Sequence, residues 1–207
     1  VYGPNDTAED LYVAVVPFNA RVKIGTGRSG WLTVQAPDGW EGCAEPRSGS
    51  AAFDDQPPSS GKWAPTPDRV TYKSGKNNKS YDVPCNSELL KLTKSKAAVK
   101  KHIEDMVADG GTRIDIAAGW GWRTLSERWK GQWGTAGLPL DDDEDPAKAI
   151  VIMSDGENDT STYVIDDGKP TNAQADTYLR TTCQSMRDAG YVVFTVAFQA
   201  TTAGQDV

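Results

Sequence analysis

The run Ala149-Ile150-Val151-Ile152-Met153-Ser154-Asp155-Gly156-Glu157-Asn158 constrains this chain more than any other. A short apolar stretch ends abruptly in a carboxylate and a glycine. It reads as a buried parallel strand whose C-terminal end delivers Asp155 to the rim of a sheet, where open α/β sheets place their ligands. Upstream, Gly110-Gly111-Thr112 reads as a tight turn that presents a hydroxyl between two helical stretches. A carboxylate and a hydroxyl on neighbouring loops make half of a hard-cation site. Each also has a plainer reading: Asp-Gly is a common turn dipeptide, and Gly-Gly-Thr serves equally as a helix C-cap followed by an N-cap.

The remaining elements follow from periodicity. Residues 11–18 and 21–24, joined by Asn19-Ala20, predict a strand hairpin. A helix is predicted over 96–108, with Val99, Ile103, Met106 and Val107 on one face, Ser95 as its cap and Gly110 at its end. A second runs from Thr112 to about Glu127 and buries Ile114, Ala117, Ala118, Gly121 and Leu125, while Trp120 and Trp122 fill core elsewhere, under the insertion described next. A third covers 174–189 from a start near Thr171 or Asn172, with Ala175, Leu179, Cys183 and Met186 inward, before a buried strand over 191–198. Strands alternating with helices predict an α/β fold with a mostly parallel sheet flanked by helices. Residues 25–92 break the pattern. They hold most of the prolines together with Trp31, Trp40, Trp63 and Tyr72, and read as a long loop-rich insertion in one domain over 1–207. Within it, 54–61 and 73–80 read as mobile.

Composition narrows the function classes. The 29 acidic residues outnumber the 22 basic ones, which argues against nucleic acid or an anionic membrane held by bulk charge. The run Asp141-Asp142-Asp143-Glu144-Asp145 reads as a solvated loop, because calcium loops space their ligands around a glycine turn. No stretch approaches the ~20 apolar residues of a membrane span. The first residue is Val1, which predicts a fragment or a processed product. His102 is the single histidine and reads as an exposed helix residue, which leaves little for a zinc site or a histidine-activated nucleophile. Cys43 and Cys85 lie where a loop-rich region needs a staple, which fits an oxidising compartment; the other reading is three buried thiols.

The segments YVAVVPF, WEGCAEPR, GGTRIDIAAGWGWRTLS and IVIMSDGEN together resemble the von Willebrand factor A domain as it occurs in the TadG-like proteins of tight-adherence (Tad) pilus systems. The most specific elements are Trp120-Gly121-Trp122-Arg123 after the Gly-Gly-Thr loop, and Trp40-Glu41-Gly42-Cys43 with Glu45 and Arg47. The resemblance implies a Rossmann-like domain with a metal-ion-dependent adhesion site built from three loops. Thr112 matches the second loop and Asp155 the third. The first, Asp-x-Ser-x-Ser, has no counterpart; Asp159-Thr160-Ser161-Thr162-Tyr163 ends in tyrosine and follows the wrong strand. The resemblance therefore implies that the family's central first strand, its helix and that loop lie upstream or in another chain. It implies Mg2+ (or Mn2+ or Ca2+) in the complete domain and weak or absent binding here. It also implies a Cys43–Cys85 disulfide across the insertion, leaving Cys183 buried and free or paired beyond Val207.

The function so implied is a non-enzymatic adhesion or assembly module in the bacterial periplasm or at the cell surface. Its partner is a protein, a pilus or envelope component, with no nucleic acid and no membrane contact by this chain, although the parent is membrane-anchored. The alternatives are a metal-dependent hydrolase using Asp155 and a structural domain whose metal site is vestigial.

Overall fold

The computed structural model describes residues 4–7, 9–144, 146–154, 156–160 and 170–198, the side chains of Val70, Tyr72, Lys73 and Tyr81 excepted. In chain order the elements are strands β1 (Val13–Val15), β2 (Val22–Lys23), β3 (Cys43–Ala44), β4 (Arg69–Ser74), β5 (Asn77–Asp82) and β6 (Leu90–Thr93), then helices α1 (Lys96–Glu104) and α2 (Ile114–Leu125), strand β7 (Ala149–Ser154), helix α3 (Asn172–Asp188) and strand β8 (Val192–Ala197). Helices and strands mix, as an α/β chain requires. Among the described residues, however, the strands form four two-stranded sheets, of which only β7–β8 is parallel. One continuous, mostly parallel sheet is not what these residues build. No described helix is long and apolar enough to cross a membrane.

The predicted hairpin of 11–18 with 21–24 does not form. β1 pairs antiparallel with β6, through a bulge between Val13 and Val15, and β2 pairs antiparallel with β3. The cause lies in the insertion: Val22 and Ile24, both fully buried, are drawn into its aromatic core rather than alongside β1. Gly42 makes this crossing, its carbonyl accepting from the Ile24 and Gly25 amides at 2.8 and 3.2 Å. A Cβ on Gly42 would lie 2.8 Å from the Gly25 carbonyl carbon, so the two chains approach too closely for any side chain there.

The insertion is better ordered than its composition predicts. All seven tryptophans of the chain are buried. Trp31, Trp40, Trp63, Trp120, Trp129 and Trp133 gather with Val22, Ile24 and Ile116 in one core. Trp63 lies between two guanidinium groups, with Arg47 Cζ 4.3 Å and Arg123 Cζ 5.5 Å from its ring centroid. Such contacts gain in strength when desolvated. Burial, and next the like charge of Arg47, pull the Arg123 pKa well below the ordinary arginine value. Residues 54–61 are tied down: Arg47 Nη2 meets Asp54 Oδ1 at 2.6 Å, and Trp129 Nε1 donates to the Asp55 carbonyl at 2.7 Å. Residues 73–80 lie in the β4–β5 hairpin, paired from Arg69↔Asp82 to Ser74↔Asn77. The Cys43–Cys85 disulfide is present and Cys183 is free and buried. With a sequence separation of 42, loop closure contributes about 4 kcal/mol.

The predicted helices form with shifted ends. α1 starts at the Ser95 cap, whose side chain accepts from the Ala98 amide, but stops at Glu104. Its apolar face is largely open: Val99 is buried, while Ile103, Met106 and Val107 are exposed. His102 is half-buried rather than exposed, and its Nε2 has no hydrogen-bond partner. α3 begins with a capping box between Thr171 and Gln174. α2 ends at Leu125, and a single 3-10 turn over Glu127–Trp129 follows.

α2 joins the two cores. It gives Ile116 and Trp120 to the aromatic core, and Ile114, Ala118 and Trp122 to a second core with Ile150, Ile152, Leu179, Cys183, Met186 and Tyr191. It touches both β1 and β7, although those strands do not pair with each other. Gly121 permits the close approach to β7: a Cβ there would already be in van der Waals contact with Ile150 Cγ2, 3.7 Å away. The other face of β7–β8 is bare. Val151, Met153, Val192, Phe194, Val196 and Phe198 are between 39% and 61% exposed, whereas parallel strands ordinarily have both faces covered.

Candidate functional site

The two sequence-predicted loops meet at the N-terminus of α2. Arg113 stands at the N-cap position without a side-chain capping bond. It makes a buried two-pronged ion pair with Asp115 instead, Nε–Oδ1 at 2.7 Å and Nη2–Oδ2 at 2.6 Å. The caps come from other loops. The Arg113 amide donates to the Asn19 carbonyl, just after β1, at 2.9 Å. The Ile114 amide donates to Asn158 Oδ1, in the loop after β7, at 2.9 Å. The Asp159 amide donates to the Thr112 carbonyl at 2.6 Å. Orphan amides of a helix start must be satisfied somehow, and here their satisfaction draws the loops after β1 and β7 onto the Gly-Gly-Thr turn. Gly110, at φ +89°, lets that turn reverse against Asn19.

Helix α3 closes the group. Asn158 Nδ2 donates to Asp176 Oδ1 at 2.9 Å, and the Thr160 amide and hydroxyl both donate to Asn172 Oδ1, at 3.0 and 2.8 Å. At the end of β7 the Gly156 amide donates back to Ser154 Oγ at 3.2 Å, a local turn of the kind serines favour. Thr112 itself is half-buried.

Of the two predicted metal ligands, Thr112 sits in this loop cluster, while Asp155 lies outside the described residues. Hydroxyl and carboxylate oxygens suit a hard cation such as Mg2+, which demands near-octahedral oxygen coordination. The described residues meet that demand only in part. Both Asp115 oxygens are committed to Arg113, and one Asp176 oxygen to Asn158. Among the described residues no three carboxylate, imidazole or thiol side chains gather into a metal set. The Thr112 hydroxyl is therefore the available oxygen of the expected pair.

In comparisons with known proteins the chain matches no protein-family model, no curated protein and no solved structure.

Sequence reading missed three participants. Asn158 is fully buried and holds the site together, but its partner amide is 44 residues earlier. Asn19 was read only as a link, and Arg113 with Asp115 only as parts of a helix start. The one local signal was a charged pair at i, i+2, which side chains on a regular helix do not use and which here straddles the helix start.

Proposed function

We propose that this chain is a non-enzymatic adhesion or assembly module of von Willebrand factor A type, as in the TadG-like proteins of Tad pilus systems. It binds a protein partner, a pilus or envelope component, at the loop cluster around Thr112. The observation that supports this reading best is the contact of the Asp159 amide with the Thr112 carbonyl, because it joins the two loops that the resemblance assigns to one adhesion site. The Cys43–Cys85 disulfide supports a periplasmic or surface location, since disulfides persist in oxidising compartments.

In this reading Thr112 and Asp155 are two ligands of a Mg2+ (or Mn2+ or Ca2+) site whose remaining oxygens belong to an Asp-x-Ser-x-Ser loop outside this chain. The unjoined strands β1 and β7, both beneath α2, support a further strand between them that carries that loop. The complete site then takes a carboxylate from the partner, and the tryptophan-rich insertion shapes specificity.

Two measurements test the proposal. In a Mg2+ or Mn2+ titration the chain alone binds weakly; tight binding abolished by Asp155→Ala would show that the site is complete without another loop. Capture of envelope proteins by the domain joined to its missing strand depends on Mg2+ and is lost in EDTA. Capture indifferent to EDTA favours a structural role, and turnover of phosphoesters favours a hydrolase.

A further inference from the structure

Beside the loop cluster lies a small pocket of about 20 Å³, between the end of β1, strand β2 and the Asn86-Ser87 turn. Its lining includes the cationic Arg21 and Lys23 and no carboxylate, in a chain of formal net charge −7. Lys23 Nζ donates to the Cys85 carbonyl at 3.2 Å. An ammonium carries three donors, and among the described residues Lys23 has no carboxylate in ion-pair range. Asn86 Nδ2 is buried with no hydrogen-bond partner, and a buried amide donor calls for an acceptor. The two groups are held from opposite sides of one crosslink: Lys23 is in register with Cys43, and Asn86 follows Cys85, the partner of Cys43 in the disulfide.

We propose that this pocket is an anion site, in which the Lys23 ammonium and the Asn86 amide grip one carboxylate oxygen or one small inorganic anion. A volume near that of a single water admits a carboxylate tip or a halide and excludes the body of a sulfate. Asn19 lines the pocket and its carbonyl accepts from the Arg113 amide, so an acidic side chain seated here would lie next to the loop cluster. The inference goes beyond the function proposed above and needs no metal.

The test is an NMR titration of the whole chain in EDTA, following the backbone amides of Asn86 and Ser87. Sodium acetate, N-acetylglutamate amide, sodium bromide and sodium sulfate are compared at matched ionic strength. Acetate and bromide are expected to give saturable shifts and sulfate none. Tighter binding of the glutamate analogue than of bromide assigns the site to a partner's carboxylate; the reverse assigns it to a free anion. Lys23→Met weakens binding by roughly tenfold, the loss of one charge-assisted hydrogen bond. Asn86→Asp, which places a like charge in the pocket, does the same and serves where Lys23→Met fails to fold. Shifts that grow linearly with every salt and survive both substitutions would mean that the pocket holds water only, and would overturn the proposal.

Discussion

A single asparagine does the work of joining three segments. Asn158 accepts from the first amide of α2 and donates to Asp176 of α3, and no part of it reaches solvent. Removing it orphans a buried helix amide and one acceptor together. Asn158→Ala is expected to cost about 2 kcal/mol, the sum of a lost cap and a buried group left unsatisfied, measured by urea unfolding. Asn158→Asp keeps an acceptor for Ile114 but sets a carboxylate against Asp176. Its loss should therefore shrink as the pH falls and one of the pair takes up a proton. Nothing in Gly156-Glu157-Asn158 distinguishes a cap from an ordinary loop asparagine, because the amide it serves is remote in sequence. The position of Thr112 was legible for the opposite reason: two glycines and a hydroxyl before an apolar-periodic run are a local signal.

At the scale of elements, α3 and β8 form the best-defined unit, and its pH response follows from burial. Desolvation raises the pKa of the Cys183 thiol from its ordinary 9.0 and that of the Tyr191 phenol from its ordinary 10.0. Both are therefore neutral in the fold when the unfolded chain would already ionise them. Their contribution is fully present below those ordinary values and is lost as pH rises beyond them. Stability is expected to hold level to about pH 9 and then decline. Tyr191→Phe, which keeps the ring against Trp122, should remove much of the decline; a profile unchanged by this substitution would contradict the assignment to Tyr191. The same unit shows why much of the fold was readable. An apolar face every three or four residues and unbroken apolar runs are properties of neighbouring residues. Pairing is not. β1 finds its partner some 75 residues on, at β6, and the two-residue strands β2 and β3 are too short to leave a pattern. The order within the insertion depends on tryptophans meeting across the chain, and composition alone cannot convey that.

At the scale of the whole molecule, the two faces of β7 should respond oppositely to substitution. Ile150 and Ile152 point into the second core, whereas Val151 and Met153 stand on the bare face with Phe194 of β8. Ile152→Ala should cost about 3 kcal/mol, while Val151→Ser and Phe194→Ser should change stability by no more than about 0.5 kcal/mol. Chemical denaturation of the three variants checks this, and a large loss from either serine would mean that the face is covered. The contrast also bears on solubility, because exposed apolar patches of this kind favour association.

Ten of the twelve residues of α2 are buried, and its two flanks belong to different cores. Such a helix cannot tilt or slide at one end without repacking the other. Any adjustment to an incoming molecule must therefore be confined to the rim, with the centre acting as a fixed axle. A change in the remote insertion that loosened the indole cluster would then register at the Thr112 turn as a loss of alignment, with no contact between the two required.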